Sequence, residues 1–177
     1  MRKDKKSVRH FEAAVRDAPT VVAYRIMLAQ SLLQIGEYDR SICELEKVLE
    51  PKDRNRIALE FLGKAYALRG DYDQAVLFLQ KVTRLEPYAL EALLSLGDIE
   101  NARKNGDGAR YWYEKALLIN SLGSRNKDYY RVGIHAARGL NAAGVKYDSS
   151  FEIAALSESV LTRQQIDNCR PMLLNGR

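Results

Sequence analysis

Residues 56–89 have the sequence RIALEFLGKAYALRGDYDQAVLFLQKVTRLEPYA, and this stretch decides the fold. Apolar or small residues in its first part recur at i, i+3, i+4 and i+7, the spacing of one helix face: Leu59, Leu62, Gly63 and Tyr66. A similar apolar spacing returns from Ala75 onward, after a Gly-Asp pair. The stretch therefore predicts two helices joined by a tight turn.

The predicted turn has its own signals. Gly70 can take the left-handed conformation that ends a helix. Asp71 with Gln74 three residues later resembles a capping box, which satisfies the free N–H groups at the start of the next helix. The second helix is therefore expected to begin directly after Asp71.

The pattern returns every 34 residues. Leu28, Leu62 and Leu96 are 34 apart, and a small residue follows each of them. Residues 36–38, Gly-Glu-Tyr, return as residues 70–72, Gly-Asp-Tyr. A fixed period of this length is the signature of a repeat array, in which each helix pair stacks on the next. The sequence predicts an all-α solenoid.

These residues resemble the tetratricopeptide repeat. Residues 56–89 match that family's pattern at nearly every signature position, including Pro87 near the end of the repeat. Residues 22–55 and 90–123 match it less completely, and the latter have Glu100 where an aromatic residue is usual. The resemblance implies a right-handed helical-hairpin solenoid with about three full repeats.

We expect one domain of residues 1–177, divided as follows: a half-repeat 7–21, repeats 22–55, 56–89 and 90–123, a degenerate repeat 124–161, and a capping helix with tail 162–177. The chain opens on residues typical of a second helix. This start fits a fragment of a longer repeat protein or a polar capping helix, and we favour the fragment. Residues 106–108, Gly-Asp-Gly, are predicted to form a modified turn.

Composition favours a folded, water-exposed protein. Hydrophobic residues make up 46% of the 177 residues and charged residues 29%. No apolar run approaches the roughly 18 residues that span a bilayer, so we expect a cytoplasmic protein. The net charge of +5 is concentrated near the N-terminus, where we interpret it as a solvated helix start rather than a nucleic-acid site.

The sequence contains no pattern of catalytic, cofactor-binding or metal-binding residues. His10 and His135 lie in different repeats. Cys43 and Cys169 fit neither a metal site nor a disulfide framework, and Cys43 is expected to be partly buried. We therefore predict a protein that is not an enzyme and needs no cofactor.

The resemblance also implies a concave groove, lined by the first helix of each repeat, that holds a protein or peptide partner. The groove positions in this sequence are Gln30, Gln34, Glu60, Lys64, Leu68, Glu91, Leu94, Asp98, Asn101 and Tyr129, with Ile57 beside them. The family's carboxylate clamp is absent. With Glu60, Glu91 and Asp98 the groove is expected to favour basic or amide groups beside apolar anchors, unless these charges only keep an empty face soluble.

Two functional classes remain open. The first is an adaptor or scaffold that binds a peptide segment or an amphipathic helix, including self-assembly. The second is a small chaperone for a secreted or aggregation-prone client. Among the aromatic residues, Tyr113 occupies a core position, while Tyr111 and Trp112 either fill the junction with the next repeat or form an exposed contact patch.

Overall fold

The computed structural model describes residues 2–50, 54–122 and 127–144, which form eight helices and no strand. The helices are α1 (Arg2–Asp17), α2 (Val22–Gln34), α3 (Tyr38–Leu49), α4 (Arg56–Arg69), α5 (Tyr72–Leu85), α6 (Leu90–Ala102), α7 (Gly106–Leu122) and α8 (Lys127–Ala142). None of these helices is long and apolar enough to cross a membrane. The prediction of an all-α fold is confirmed.

The helices stack in two layers. From α2 to α7 they form pairs, and each second helix packs against the first helix of its own pair and against the first helix that follows. The first helices α2, α4, α6 and α8 also contact one another in order. They form an inner layer and the second helices an outer one, which is the arrangement of the predicted solenoid.

The turns within the first two pairs have the predicted chemistry. Gly36 and Gly70 end α2 and α4 with φ of +81° and +92°, a backbone conformation that side chains disfavour. Asp71 then accepts a hydrogen bond from the Gln74 backbone N–H at 3.4 Å. The capping arrangement predicted for α5 is present.

The turn of the third pair differs from the prediction. Lys104 takes the left-handed position with φ of +60°, and Asn105 Oδ1 accepts from the Gly108 N–H at 3.2 Å. Asn105 therefore supplies the cap, and α7 already begins at Gly106. The expectation that residues 106–108 form the turn is wrong because the preceding Lys104 and Asn105 do so.

Helices of one pair approach closely where a glycine meets a large side chain. A Cβ at Gly63 would lie 2.5 Å from Leu79 Cγ, a distance that real side chains do not reach. Gly97 has the same relation to the ring of Tyr113 in the third pair. The small residue at this point of each repeat is a packing requirement, as its period suggests.

Buried side chains form two main clusters and a smaller one. The first runs from α2 to α6 and the second from α6 to α8, with Trp112 packed against both. The small cluster lies at the N-terminal end, where Val8 of α1 packs with Leu28 and Leu32 of α2. Trp112 thus connects the two main clusters, and α1 covers Leu28 and Leu32 of α2.

Two outer residues correct the sequence-based expectations. Cys43 of α3 is exposed, although we expected it to be partly buried. Tyr111 holds the equivalent position 68 residues later and is 46% exposed, so only Trp112 of this aromatic pair fills the repeat junction. Cys43 is exposed because of its position in the helical register, in which Ile42 and Leu45 point toward the core side of α3.

Candidate functional site

The surroundings of α4 show which side of the inner layer is open. This helix packs against α3 and α5 in the outer layer and against α2 and α6 beside it. Four of its accessible residues recur at i, i+3, i+7 and i+11, along a single stripe: Ile57, Glu60, Lys64 and Leu68. We call the accessible side of α2, α4, α6 and α8 that continues this stripe the concave face.

Apolar side chains are prominent on the concave face of α4. Ile57 and Leu68 are 45% and 57% exposed. On α2, the predicted groove residues Gln30 and Gln34 are exposed, and Met27, which was not among them, is 47% exposed.

The carboxylates of the predicted acidic groove have cations beside them. Glu60 lies between Arg56 and Lys64, with N–O distances of 2.8 and 3.4 Å. Glu91 of α6 forms an ion pair with Arg131 of α8. Because Glu60 and Glu91 each have a cation beside them, the concave face carries less net negative charge than the sequence suggested.

Leu94 does not line the groove. Its side chain is 1% exposed and lies in the same cluster as Val132 and Leu140 of α8. The prediction is wrong for this residue because α8 packs along that side of α6 and covers it. Sequence position in the repeat could not show this, since the cover comes from the next helix.

Tyr113 joins the outer layer to the concave face. Its ring is fully buried between Gly97 of α6 and Gly139 of α8, where a Cβ at either glycine would overlap the ring. Its hydroxyl donates to Asp98 Oδ1 at 2.6 Å and accepts from Asn101 Nδ2 at 3.2 Å. Burial and the hydrogen bond to Asp98 both raise the pKa of the Tyr113 phenol, which keeps it a donor at neutral pH.

Asp98 and Asn101 also hold α8 in place. His135 Nε2 lies 2.9 and 3.0 Å from the two carboxylate oxygens of Asp98, and Asn101 donates to the Gly139 carbonyl at 2.9 Å. The structure therefore brings these two predicted residues together. Their polar atoms are used largely within the chain.

An open cavity of about 920 Å³ lies between α6 and α8. We call it the α6–α8 cavity, and it is lined by Asp98, Asn101, Tyr113, Arg131, Ile134, His135, Arg138, Gly139 and Ala142. Tyr129 lies in α8, but its side chain falls outside the described residues. Within the described ranges, no group of three or more His, Cys, Asp or Glu side chains is placed to hold a metal ion.

Sequence reasoning missed the α8 residues because the period changes there. A shift of 34 residues makes Val132 the equivalent of Asp98, but Val132 is buried, and α8 begins 37 residues after the start of α6. The difference of three matches the lengths of α7 and α5, which are 17 and 14 residues. Extra residues in α7 move the following helix along in register.

A model of the tetratricopeptide repeat matches residues 5–56, 26–89 and 62–124. The chain belongs to the tetratricopeptide repeat family. A curated relative, Protein CTR9 homolog of Arabidopsis thaliana, is 35% identical over 72 residues, which are 41% of this chain. The chain spans only 7% of that relative's length.

Solved structures show the same fold at low sequence identity. The Sgt2 TPR domain from Aspergillus fumigatus has a TM-score of 0.60 at 20% identity, over 78% of this chain and 83% of that one. The structure of MamA protein has a TM-score of 0.63 at 16% identity, and the match covers 99% of this chain and 87% of that one. A thermophilic TPR protein of Thermus thermophilus has a TM-score of 0.62 at 16% identity, and the match covers 94% of this chain and 88% of that one. This tetratricopeptide repeat fold supports a role in protein–protein interaction.

Proposed function

We propose that this tetratricopeptide repeat chain is an adaptor or scaffold whose concave face binds a peptide segment or an amphipathic helix of a partner protein. The observation that carries the proposal is the exposure of Ile57 and Leu68 on the side of α4 that none of the eight described helices covers. Large apolar side chains in a concave setting favour a protein ligand.

The partner is expected to supply apolar anchors first. Because Glu60 and Glu91 are paired within the chain, they attract a charged ligand less than free carboxylates would. Amide or basic groups of the partner would lie beside Gln30 and Gln34 and along the remaining carboxylate edge. Affinity is therefore expected to depend mainly on the apolar contacts.

A matched pair of double variants tests the proposal. Ile57→Ser with Leu68→Ser removes two anchors of the concave face. Leu77→Ser with Leu85→Ser changes residues of similar exposure, 48% and 43%, on the outer helix α5. Proteins retained by the immobilised intact chain are quantified by mass spectrometry, and the binding of one purified partner is measured by calorimetry.

We expect the concave variant to lose partner affinity by more than tenfold, because about 1.5–3 kcal/mol accompanies burial of each large aliphatic side chain. The outer variant should bind like the parent. Equal binding by both variants would move the interaction surface away from the concave face.

A small chaperone is the second candidate, and the same exposed apolar residues support it. Ile57, Leu68 and Met27 could cover an apolar segment of a secreted or aggregation-prone client. Light scattering of the client with and without the chain separates the two functions. A chaperone keeps an otherwise aggregating client soluble, whereas an adaptor binds partners that are stable alone.

A further inference from the structure

One side of α8 carries two arginines around an isoleucine. Arg131, Ile134 and Arg138 are spaced i, i+3 and i+7, and all three line the α6–α8 cavity. Both arginines are exposed, and Ile134 is 48% exposed. A guanidinium presents a planar fork of donors that matches a carboxylate.

The carboxylate of the cavity does not neutralise Arg138. Asp98 already accepts a hydrogen bond from Tyr113 and lies beside His135. Arg131 is paired with Glu91, whereas Arg138 forms no ion pair with any residue whose side chain the structure describes. Its positive charge is therefore available to a ligand in the cavity.

We propose that the α6–α8 cavity binds an acidic side chain, aspartate or glutamate, of the partner segment. Arg138 is the main contact, and an apolar residue next to the acid packs on Ile134. This assignment rests on the proposed function and adds the orientation of the partner segment along the concave face. Apolar anchors lie against α4, and the acidic residue of the same segment lies against α8.

Charge and hydrogen-bonding geometry support this assignment. The Arg138 guanidinium can donate two parallel hydrogen bonds to one carboxylate, and no described carboxylate is paired with it. The Asp98 carboxylate that would repel it already accepts a hydrogen bond from the Tyr113 hydroxyl and lies beside His135 Nε2. The site therefore favours an anion although it contains a carboxylate.

The test uses the full chain as bait for a phage library of random peptides displayed through their C-termini, so that no free terminal carboxylate is present. Three baits are compared: the parent, Arg138→Glu and Arg110→Glu. Arg110 is an exposed arginine of the outer helix α7, paired with Glu114. We expect the parent and Arg110→Glu to enrich peptides with an acid beside an apolar residue, and Arg138→Glu not to do so.

Enriched peptides are then synthesised with amidated ends, and their affinities are measured by fluorescence anisotropy. Arg138→Glu should weaken binding on the order of tenfold, and Arg138→Gln less. A peptide whose acid is replaced by lysine should bind poorly to the parent and regain affinity for Arg138→Glu. This exchange depends on the charge pair and not on folding.

Other outcomes are decisive as well. If the enriched peptides contain no acid, or bind equally to Arg138→Glu, the acidic site is refuted. The proposed function survives that result if the same peptides lose affinity with Ile57→Ser and Leu68→Ser. If no peptide is enriched on the parent, both proposals fail.

Discussion

The residue that most distinguishes this array is Tyr113. The two preceding repeats have the shorter side chains of Leu45 and Leu79 at this position. The longer tyrosine extends past Gly97 to Gly139 and to the polar atoms of Asp98. One side chain of the outer layer thus fixes two helices of the inner layer.

Gly139→Ala tests this contact. In most helices this change gains about 1 kcal/mol, but here the new Cβ overlaps the far end of the Tyr113 ring. Because overpacking typically costs about 1–3 kcal/mol, we expect this gain to be cancelled or outweighed, with a net loss of up to about 2 kcal/mol. The free energy of unfolding is measured in urea.

A double-mutant cycle supplies the control. In a Tyr113→Leu background the overlap is gone, so Gly139→Ala should become neutral or stabilising. Gly97→Ala should stay destabilising in both backgrounds, because the leucine of the second repeat still comes within 2.5 Å of a Cβ at Gly63. Identical effects of Gly139→Ala in both backgrounds would show that the ring is not the cause.

The sequence identified individual core residues better than groove residues. The core position of Tyr113 followed from a period of 34 and is confirmed by its complete burial. Leu94 was misplaced, because a groove position depends on what the next helix covers. The hydrogen bonds of Asp98 and Asn101 likewise depend on α8, which no period within α6 can reveal.

At the scale of elements, α1 covers one side of α2. Val8, Phe11 and Val15 pack against Leu28 and Leu32, and Glu12 adds an ion pair to Arg40 of α3. Terminal repeats of an array need a covering element, because they would otherwise expose core side chains.

A chain that begins at Thr20 should be less stable and should self-associate. Leu28 and Leu32 are 4% and 0% exposed, so their uncovering should cost about 2–4 kcal/mol. Urea unfolding and sedimentation velocity measure the two effects.

Glu12→Gln is the matched control for this truncation. It removes only the exposed ion pair between Glu12 and Arg40, and such pairs usually contribute less than about 1 kcal/mol. If the shortened chain stayed monomeric with an unchanged denaturation midpoint, α1 would not be a cap.

The lengths of α5 and α7 explain why the helix pairs were predicted well and the register of α8 against α6 was not. Turn and cap signals placed the helices of the second repeat correctly, since Gly70 and Asp71 act locally. The extra three residues of α7 have no local signal. They change only the register in which α8 meets α6, so the residues of the α6–α8 cavity could not be assigned in advance.

At the scale of the molecule, Trp112 connects the two main core clusters. It is the chain's single tryptophan, and it packs against both clusters. Repeat arrays unfold as one unit only while the contacts between neighbours are strong enough. The junction at Trp112 is therefore expected to control cooperativity.

Trp112→Ala should lower stability by about 2–4 kcal/mol and broaden the urea transition measured by circular dichroism. In the parent, tryptophan fluorescence and circular dichroism should give coincident transitions. Tyr111→Ala is the control, because the neighbouring ring is 46% exposed and should change stability by less than about 0.5 kcal/mol. A steep, unbroadened transition for Trp112→Ala would mean that the halves are coupled elsewhere.

The placement of the Tyr113 ring between two glycines should also constrain how these three positions evolve. Gly97 and Gly139 lie in different repeats, but both pack against the Tyr113 ring. A substitution at any one of these three positions therefore changes which residues are tolerated at the other two. Among chains that share this ancestry, tyrosine here should co-vary with glycine at both places. In related chains with leucine in place of Tyr113, the position of Gly139 should accept larger residues. The residues at these three positions would then distinguish one branch of related sequences from another.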